Sequence, residues 1–280
     1  MTRVAVVGSY GVGLTFGVER LPERGESVIG DLFRTDHGGK GSNQAVGAAR
    51  LGAEVDLLTS VGEDAFGDGA LALWAEEGVD SSAVLRAPLP TMTAAILVER
   101  GGDNRIVIVP GALSALSPAH VDAFTPQIEA ADMLLVQLEI PVETALHALE
   151  VARDAGVRSV LNPAPAPPEP VSPAADYVTP NETEAPAVRA APGTLVVTIG
   201  DQGARLGDEQ VPAFAANVVD TTGAGDAFSA AFAVALAEGA SDRDAVSWGC
   251  AAGAYMVEHE GVVPGLPTRA QLEARLGVAV

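Results

Sequence analysis

The sequence predicts an α/β fold, a three-layer α/β/α sandwich around a mainly parallel central sheet, and three observations carry that expectation. Short apolar runs at residues 4–7, 134–138 and 195–199 are continuous rather than alternating, the pattern of strands covered on both faces. Segments of helical character, such as 67–77 and 142–155, stand between such runs, and strand–helix alternation builds parallel sheets. The 280-residue chain is 48% hydrophobic, enough for one large core in a single domain spanning 1–280.

Composition excludes several function classes. With 37 acidic against 16 basic residues the formal net charge is −21, which disfavours nucleic acid and anionic membrane surfaces as partners. No apolar run reaches the roughly 18 residues of a membrane span, and the N-terminus passes into the first strand without a cleavable signal pattern. A cytoplasmic location is the expectation. The single cysteine, Cys250, rules out an internal disulfide framework and a cysteine-based zinc cluster. His37, His120, His147 and His259 lack metal-ligand spacing. Asn181-Glu-Thr183 matches a glycosylation sequon only formally.

In chain order, residues 4–7 form a buried strand ending at Gly8. A dinucleotide-binding turn is excluded, because Phe16 stands where the third glycine after Gly11 and Gly13 is required. Residues 26–36 alternate moderately and suggest a strand pair. Residues 93–98 and 105–109 flank Arg100-Gly-Gly-Asp-Asn104, a hairpin signal. Residues 38–52 are a glycine-rich loop running into an alanine-rich helix; Lys40 is followed by Gly41, so this is not a phosphate-binding P-loop. Gly38 and Gly39 let the backbone approach a polyol, and Asn43 offers a donor and an acceptor for vicinal hydroxyls or, alone, caps a helix. Lys40 reads equally as a substrate contact or a structural residue.

Residues 55–61, 133–138 and 157–161 continue the strand series. Ligands in parallel sheets bind beyond the carboxyl ends of the strands, where Gly8, Gln137, Glu139, Asn162, Asn181 and Thr198 fall. Glu139 reads as a substrate contact or as a helix-start carboxylate before Pro141. Asn162-Pro-Ala-Pro-Ala166 leads into a proline-rich run reaching Pro173, which reads as a rigid turn aimed at phosphates or, for residues 166–173, as a surface loop. Thr198, Gly200 and Gly203 close an apolar run in a glycine turn.

Residues 220–228, Asp-Thr-Thr-Gly-Ala-Gly-Asp-Ala-Phe, open a second alanine-rich segment of high helix propensity. The near absence of side chains at Gly223, Ala224 and Gly225 lets backbone N–H groups close around an anion at the positive end of a helix. Asp226 beside that cradle is repulsive to an anion unless it accepts a proton from an attacking hydroxyl, which is general base catalysis. A helix cap and a tight turn are the plainer alternative.

Residues 220–228 resemble the C-terminal signature of the ribokinase-like (PfkB) carbohydrate kinases. Gly38-Gly-Lys-Gly-Ser-Asn-Gln-Ala45, with Gly47, Leu51, Gly52, Gly62, Asp64 and Gly67, resembles their N-terminal signature, and the similarity extends from Val4 to about Pro267. The resemblance implies a small β lid over the sugar, with strands from about 14–36 and 91–110, and a homodimer paired through it.

It also implies an ATP-dependent kinase acting on a primary hydroxyl of a small sugar or polyol. Asp226 is then the catalytic base, the amides of Gly223, Ala224, Gly225 and Asp226 the anion hole, and Gly38, Gly39, Lys40, Asn43, Glu139 and Asp226 the substrate contacts. Asn181, Thr198, Gly200, Gly203 and Gly225 correspond to nucleotide-binding positions. Glu184 corresponds to a residue holding Mg²⁺ through water, and Asp220 and Thr222 to part of a monovalent-cation site for K⁺, although Gly265 stands where a hydroxyl is usual. Gly11 and Gly13 depart from the family's Asn-x-Asp. That departure keeps a nucleoside or vitamin-like alcohol open as substrate, and a non-catalytic sugar or nucleotide sensor open as an alternative.

Overall fold

The structure, a computed structural model, describes residues 1–101, 103–189 and 193–277. Gly102 in the expected hairpin turn, residues 190–192 in the short stretch after Glu184, and residues 278–280 lie outside the described residues.

The first strand shows how the sequence sets the layers. In β1 (Arg3–Val7) Val4 and Val6 enter one core cluster and Ala5 and Val7 the other, because successive side chains of a strand point to opposite faces. The next strands and helices in the chain are β2 (Gly11–Val18), β3 (Leu32–Gly38), α1 (Lys40–Arg50), β4 (Glu54–Leu58), β5 (Ser60–Gly62), α2 (Ala65–Glu77), β6 (Val79–Asp80) and β7 (Leu85–Ala87). They are followed by β8 (Thr93–Glu99), β9 (Asn104–Val109), α3 (Pro118–Ala130), β10 (Met133–Gln137), α4 (Val142–Ala155), β11 (Arg158–Asn162) and β12 (Tyr177–Val178). The chain continues through β13 (Thr194–Thr198), β14 (Ala204–Leu206), β15 (Glu209–Val211), α5 (Ala224–Ala237), α6 (Asp242–Met256), α7 (Val262–Gly265) and α8 (Arg269–Leu276).

Nine strands form the central sheet in the order β15-β14-β13-β12-β11-β10-β1-β4-β6. All pairings from β6 to β13 are parallel, and the β13–β14–β15 end is antiparallel. One face is covered by α1, α2, α5, α6 and α8, the other by α3 and α4. This is the α/β sandwich with a mainly parallel sheet that the alternating pattern predicts. Helix α5 is buried along nearly its whole length, from Asp226 to Leu236, which explains an alanine-rich sequence with no polar face.

Two strand expectations change. The run 55–61 divides after Leu58, because β5 leaves the main sheet to pair in parallel with β7. Residues 26–36 supply one strand rather than a pair: β3 begins at Leu32 and lies antiparallel to β2. Strands β3-β2-β8-β9 form a separate four-stranded sheet, with β2 and β8 parallel and β8 and β9 antiparallel. At β13, Leu195 is exposed while Val196 and Val197 are buried, so this strand is covered less completely than its apolar run suggests.

Candidate active site

The site forms where the carboxyl end of β1 meets the start of α1. Gly39 precedes α1 with φ 89°, and a Cβ there would stand 2.5 Å from the Tyr10 Cα, so a glycine is required by both conformation and space. Gly38 meets only an ordinary contact. The Ser42 amide donates to the Ser9 carbonyl at 2.8 Å, tying the helix to the strand end. Glu139, just beyond β10, accepts from the Ser9 hydroxyl at 2.5 Å and from the Lys40 amide at 2.8 Å. Its carboxylate therefore serves the start of α1, not the helix that follows it in sequence. Anionic charge at that position also complements the α1 dipole.

Asp226 lies in the first turn of α5 and is 4% exposed. Its Oδ2 accepts from Asn43 Nδ2 at 2.8 Å, and its Oδ1 from Gln44 Nε2 at 3.0 Å. A carboxylate can only accept, so both amides must turn their NH₂ groups toward it. Gln44 Oε1 consequently accepts from Gln137 Nε2 at 2.6 Å, and Gln44 Nε2 also reaches Asn162 Oδ1 at 3.4 Å. Asn162 in turn donates to the Thr179 carbonyl at 2.9 Å, and the Thr179 and Ser229 hydroxyls are 3.2 Å apart. Asn43 Oδ1 is buried and has no hydrogen-bond partner among the described residues. An unmet buried acceptor costs about 1–3 kcal/mol.

Above the carboxylate the helix start is open. Gly223 caps α5 in the left-handed region at φ 82°, and a Cβ at Gly225 would meet nothing within 4 Å. The Gly225 and Asp226 amides donate to no group among the described residues, as expected for first-turn N–H groups that lack intrahelical partners. The Lys40 ammonium is held above its ordinary pKa, chiefly by the Asp226 charge, against the lowering effect of burial and with help from Glu139 and Glu184. One cation thus lies in the field of Asp226, Glu139 and Glu184.

On the other flank, Asn181 Oδ1 is taken up within its own turn by the Thr183 amide, the Thr183 hydroxyl and the Glu184 amide. Glu184 Oε2 accepts from the Asn181 amide at 2.9 Å. Thr198 bridges to Asn181 and is half-buried, and Gly200 is exposed. Gly203 has a packing reason for being glycine, since a Cβ there would collide with the Val211 carbonyl. Asp220 Oδ1 accepts from the Thr222 amide at 2.9 Å in an exposed turn. Lys40, Asn43, Glu139, Asp226 and the 223–225 turn are therefore joined by contacts or by charge, and Lys40 links them electrostatically to Glu184.

Comparison with known proteins decides the family. The profile of the pfkB family carbohydrate kinases matches residues 1–269. The chain belongs to the pfkB family. Ribokinase of Bacillus subtilis is 39% identical over 292 aligned residues, covering 99% of this chain and 100% of its own. Deoxyribokinase of Salmonella typhi is 33% identical, covering 98% and 99%. The structure of Arabidopsis thaliana ribokinase complexed with ribose and ATP is similar at TM-score 0.91 and 30% identity, with both chains covered 100%. The present chain is thus a ribokinase-like, ATP-dependent sugar kinase.

In this pfkB-family kinase several buried polar residues carry no isolated sequence signal. Gln44 lies inside the N-terminal signature, yet nothing in its spacing marks it as a partner of Asp226, 182 residues away. Ser9, Thr179 and Ser229 follow apolar runs as ordinary small polar residues do. Packing of α1 against α5 and β10 brings Gln44 to Asp226 and Gln137, and the Thr179 hydroxyl meets that of Ser229.

Proposed function

We propose that the chain transfers the γ-phosphoryl group of ATP to a primary hydroxyl of a small sugar, with Asp226 as general base. The supporting observation is the buried Asp226 carboxylate, held by two side-chain amides beneath first-turn N–H groups that donate to nothing among the described residues. Each carboxylate oxygen keeps acceptor capacity after those bonds. The hydroxyl proton passes to Asp226 as the hydroxyl oxygen bonds to the γ-phosphorus; the β,γ-bridging P–O bond breaks and ADP leaves. The amides of residues 223–226 stabilise charge on the transferred group, and the Lys40 ammonium offsets charge between the two substrates.

On the sugar side, Asn43 Oδ1 accepts a hydroxyl, and Glu139 and the backbone at Gly38 and Gly39 line the approach. On the nucleotide side, Asn181 offers its Nδ2, with Thr198, Gly200 and Gly203 beside it. Glu184 suits Mg²⁺: a single hard carboxylate fits an ion that keeps most of its waters and takes the rest of its ligands from phosphates. When bound, Mg²⁺ neutralises phosphate charge. Asp220 and Thr222 fit the edge of a K⁺ site. The exposed apolar strand β9 supports a homodimer joined through the lid sheet, and the acidic chain suits the cytoplasm.

Met92 favours a second reading of the substrate. A side chain at Gly11 would collide with the Met92 methyl group, so thioether rather than a polar group occupies that position. A substrate with fewer hydroxyls, such as a deoxy sugar, a nucleoside or a vitamin-like alcohol, is then better matched than ribose. ADP release measured against ribose, 2-deoxyribose, fructose, nucleosides and pyrimidine alcohols decides among them. Ligand-induced thermal stabilisation without ADP release from any of these would favour a sensor instead.

A further inference from the structure

We propose that Gln44 is a positioning residue for the base, orienting the Asp226 carboxylate and donating to its ionised form through a one-directional chain of side-chain amides. The inference rests on the role of Asp226 given above.

Gln44 is fully buried and none of its polar atoms is idle. It donates to Asp226 Oδ1 at 3.0 Å and to Asn162 Oδ1 at 3.4 Å, while its carbonyl accepts from Gln137 at 2.6 Å. Because Asp226 can only accept, the Gln44 amide cannot turn over without setting two oxygens against each other. Gln137 reinforces the same orientation by filling the carbonyl side. The carboxylate plane is thus fixed from both ends, by Gln44 at Oδ1 and by Asn43 at Oδ2. Asn43 has a free acceptor for substrate, whereas Gln44 has none, which separates a substrate-facing amide from one that acts only through Asp226.

Hydrogen bonds to an ionised carboxylate favour that form and lower its pKa. The charged groups coupled to one another at this corner are Asp226 itself, Lys40 at the start of α1, Glu139 beyond β10 and Glu184 in the loop after β12. Strands β10 and β11 present the neutral Gln137 and Asn162, α5 itself adds Ser229, and α6 and α7 present Met256 and Val262 against Gly223. Gln44 is therefore a neutral donor whose loss changes the carboxylate without changing local charge.

The test is the pH profile of kcat for Gln44→Met, Gln44→Glu, Gln137→Met and Asp226→Asn, with ATP and whichever of ribose and 2-deoxyribose turns over faster. Gln44→Met should lower kcat roughly 10- to 100-fold, leave both KM values within about threefold, and move the acid limb to higher pH. Gln44→Glu sets a second carboxylate against the first and should move that limb further, because the pair shares a proton. Gln137→Met should move it less and in the same direction, and reads the same effect should a Gln44 variant fail to fold. Acid limbs that coincide with the wild-type limb in every folded variant, with Asp226→Asn inactive, would overturn the proposal and leave Gln44 a packing residue. Full turnover by Asp226→Asn would instead remove the base on which it depends.

Discussion

Asn43 donates its side-chain amide to Asp226 Oδ2 at 2.8 Å, joining two segments 183 residues apart in sequence. The bond leaves Asn43 Oδ1 without a partner among the described residues, buried and adjacent to the carboxylate. One side chain therefore holds the Asp226 carboxylate and, on the proposed reading, would offer an acceptor to the hydroxyl-bearing substrate.

Asn43→Ala removes both functions. Its kcat/KM for the sugar should fall by at least about tenfold, with a raised KM for sugar and a KM for ATP changed less, in initial-rate assays with each substrate varied. Asn43→Asp keeps the acceptor but faces one carboxylate with another, and should be the more damaging change below neutral pH.

Gly11 and Met92 should behave as a coupled pair. Gly11→Asn alone drives a side chain into the Met92 methyl group and should destabilise by about 1–3 kcal/mol in urea titrations. Gly11→Asn combined with Met92→Gly vacates that space, so the double variant should recover much of the loss that the single changes predict by addition. Additive losses would show that the two residues do not compete for space. Gly13→Asp meets only ordinary contacts and should fold normally while improving the rate with ribose relative to 2-deoxyribose.

The far end of α6 carries a pH-dependent tie. Glu258 is held at about 2 instead of its ordinary 4.5, first by the Arg275 side chain and then by the Asn217 amide. Its folded pKa is depressed, so its contribution is present above pH 4.5 and disappears as pH falls through about 2. The difference in Tm between wild type and Glu258→Gln should be seen at neutral pH and should close over that interval in a pH series of thermal melts.

The four-stranded sheet leaves apolar surface uncovered: Phe33 and Val107 are 62% and 61% exposed, and every residue of β9 is exposed. An open apolar edge strand invites a second copy. Light scattering coupled to size exclusion should give a dimer for wild type at micromolar concentration and a monomer for Val107→Glu. Wild-type monomer at that concentration would contradict this assembly.

Much of the fold was legible because local patterns and tertiary demands agree. The run at residues 4–7 is apolar at every position since β1 is covered on both faces, and α5 lacks a polar face since it is buried throughout. The division of residues 55–61 into β4 and β5 was not legible, because Thr59 and Ser60 at the break are as fully buried as the apolar residues around them. At the candidate site, Asp226 and Asn43 stood out through the glycine-rich sequence around them. Glu139 was legible as a candidate, but the helix its carboxylate serves was not, since α1 lies 99 residues earlier in the chain. Gln44 and Gln137 act through a hydrogen-bond direction that only the packed neighbours define.

The most direct test of the central claim is single-turnover phosphoryl transfer by Asp226→Asn, with ATP binding measured on the same preparation by calorimetry. ATP affinity should stay within about threefold of wild type while the transfer rate falls by roughly 10²- to 10⁴-fold. A variant that binds ATP and transfers at the wild-type rate would contradict it.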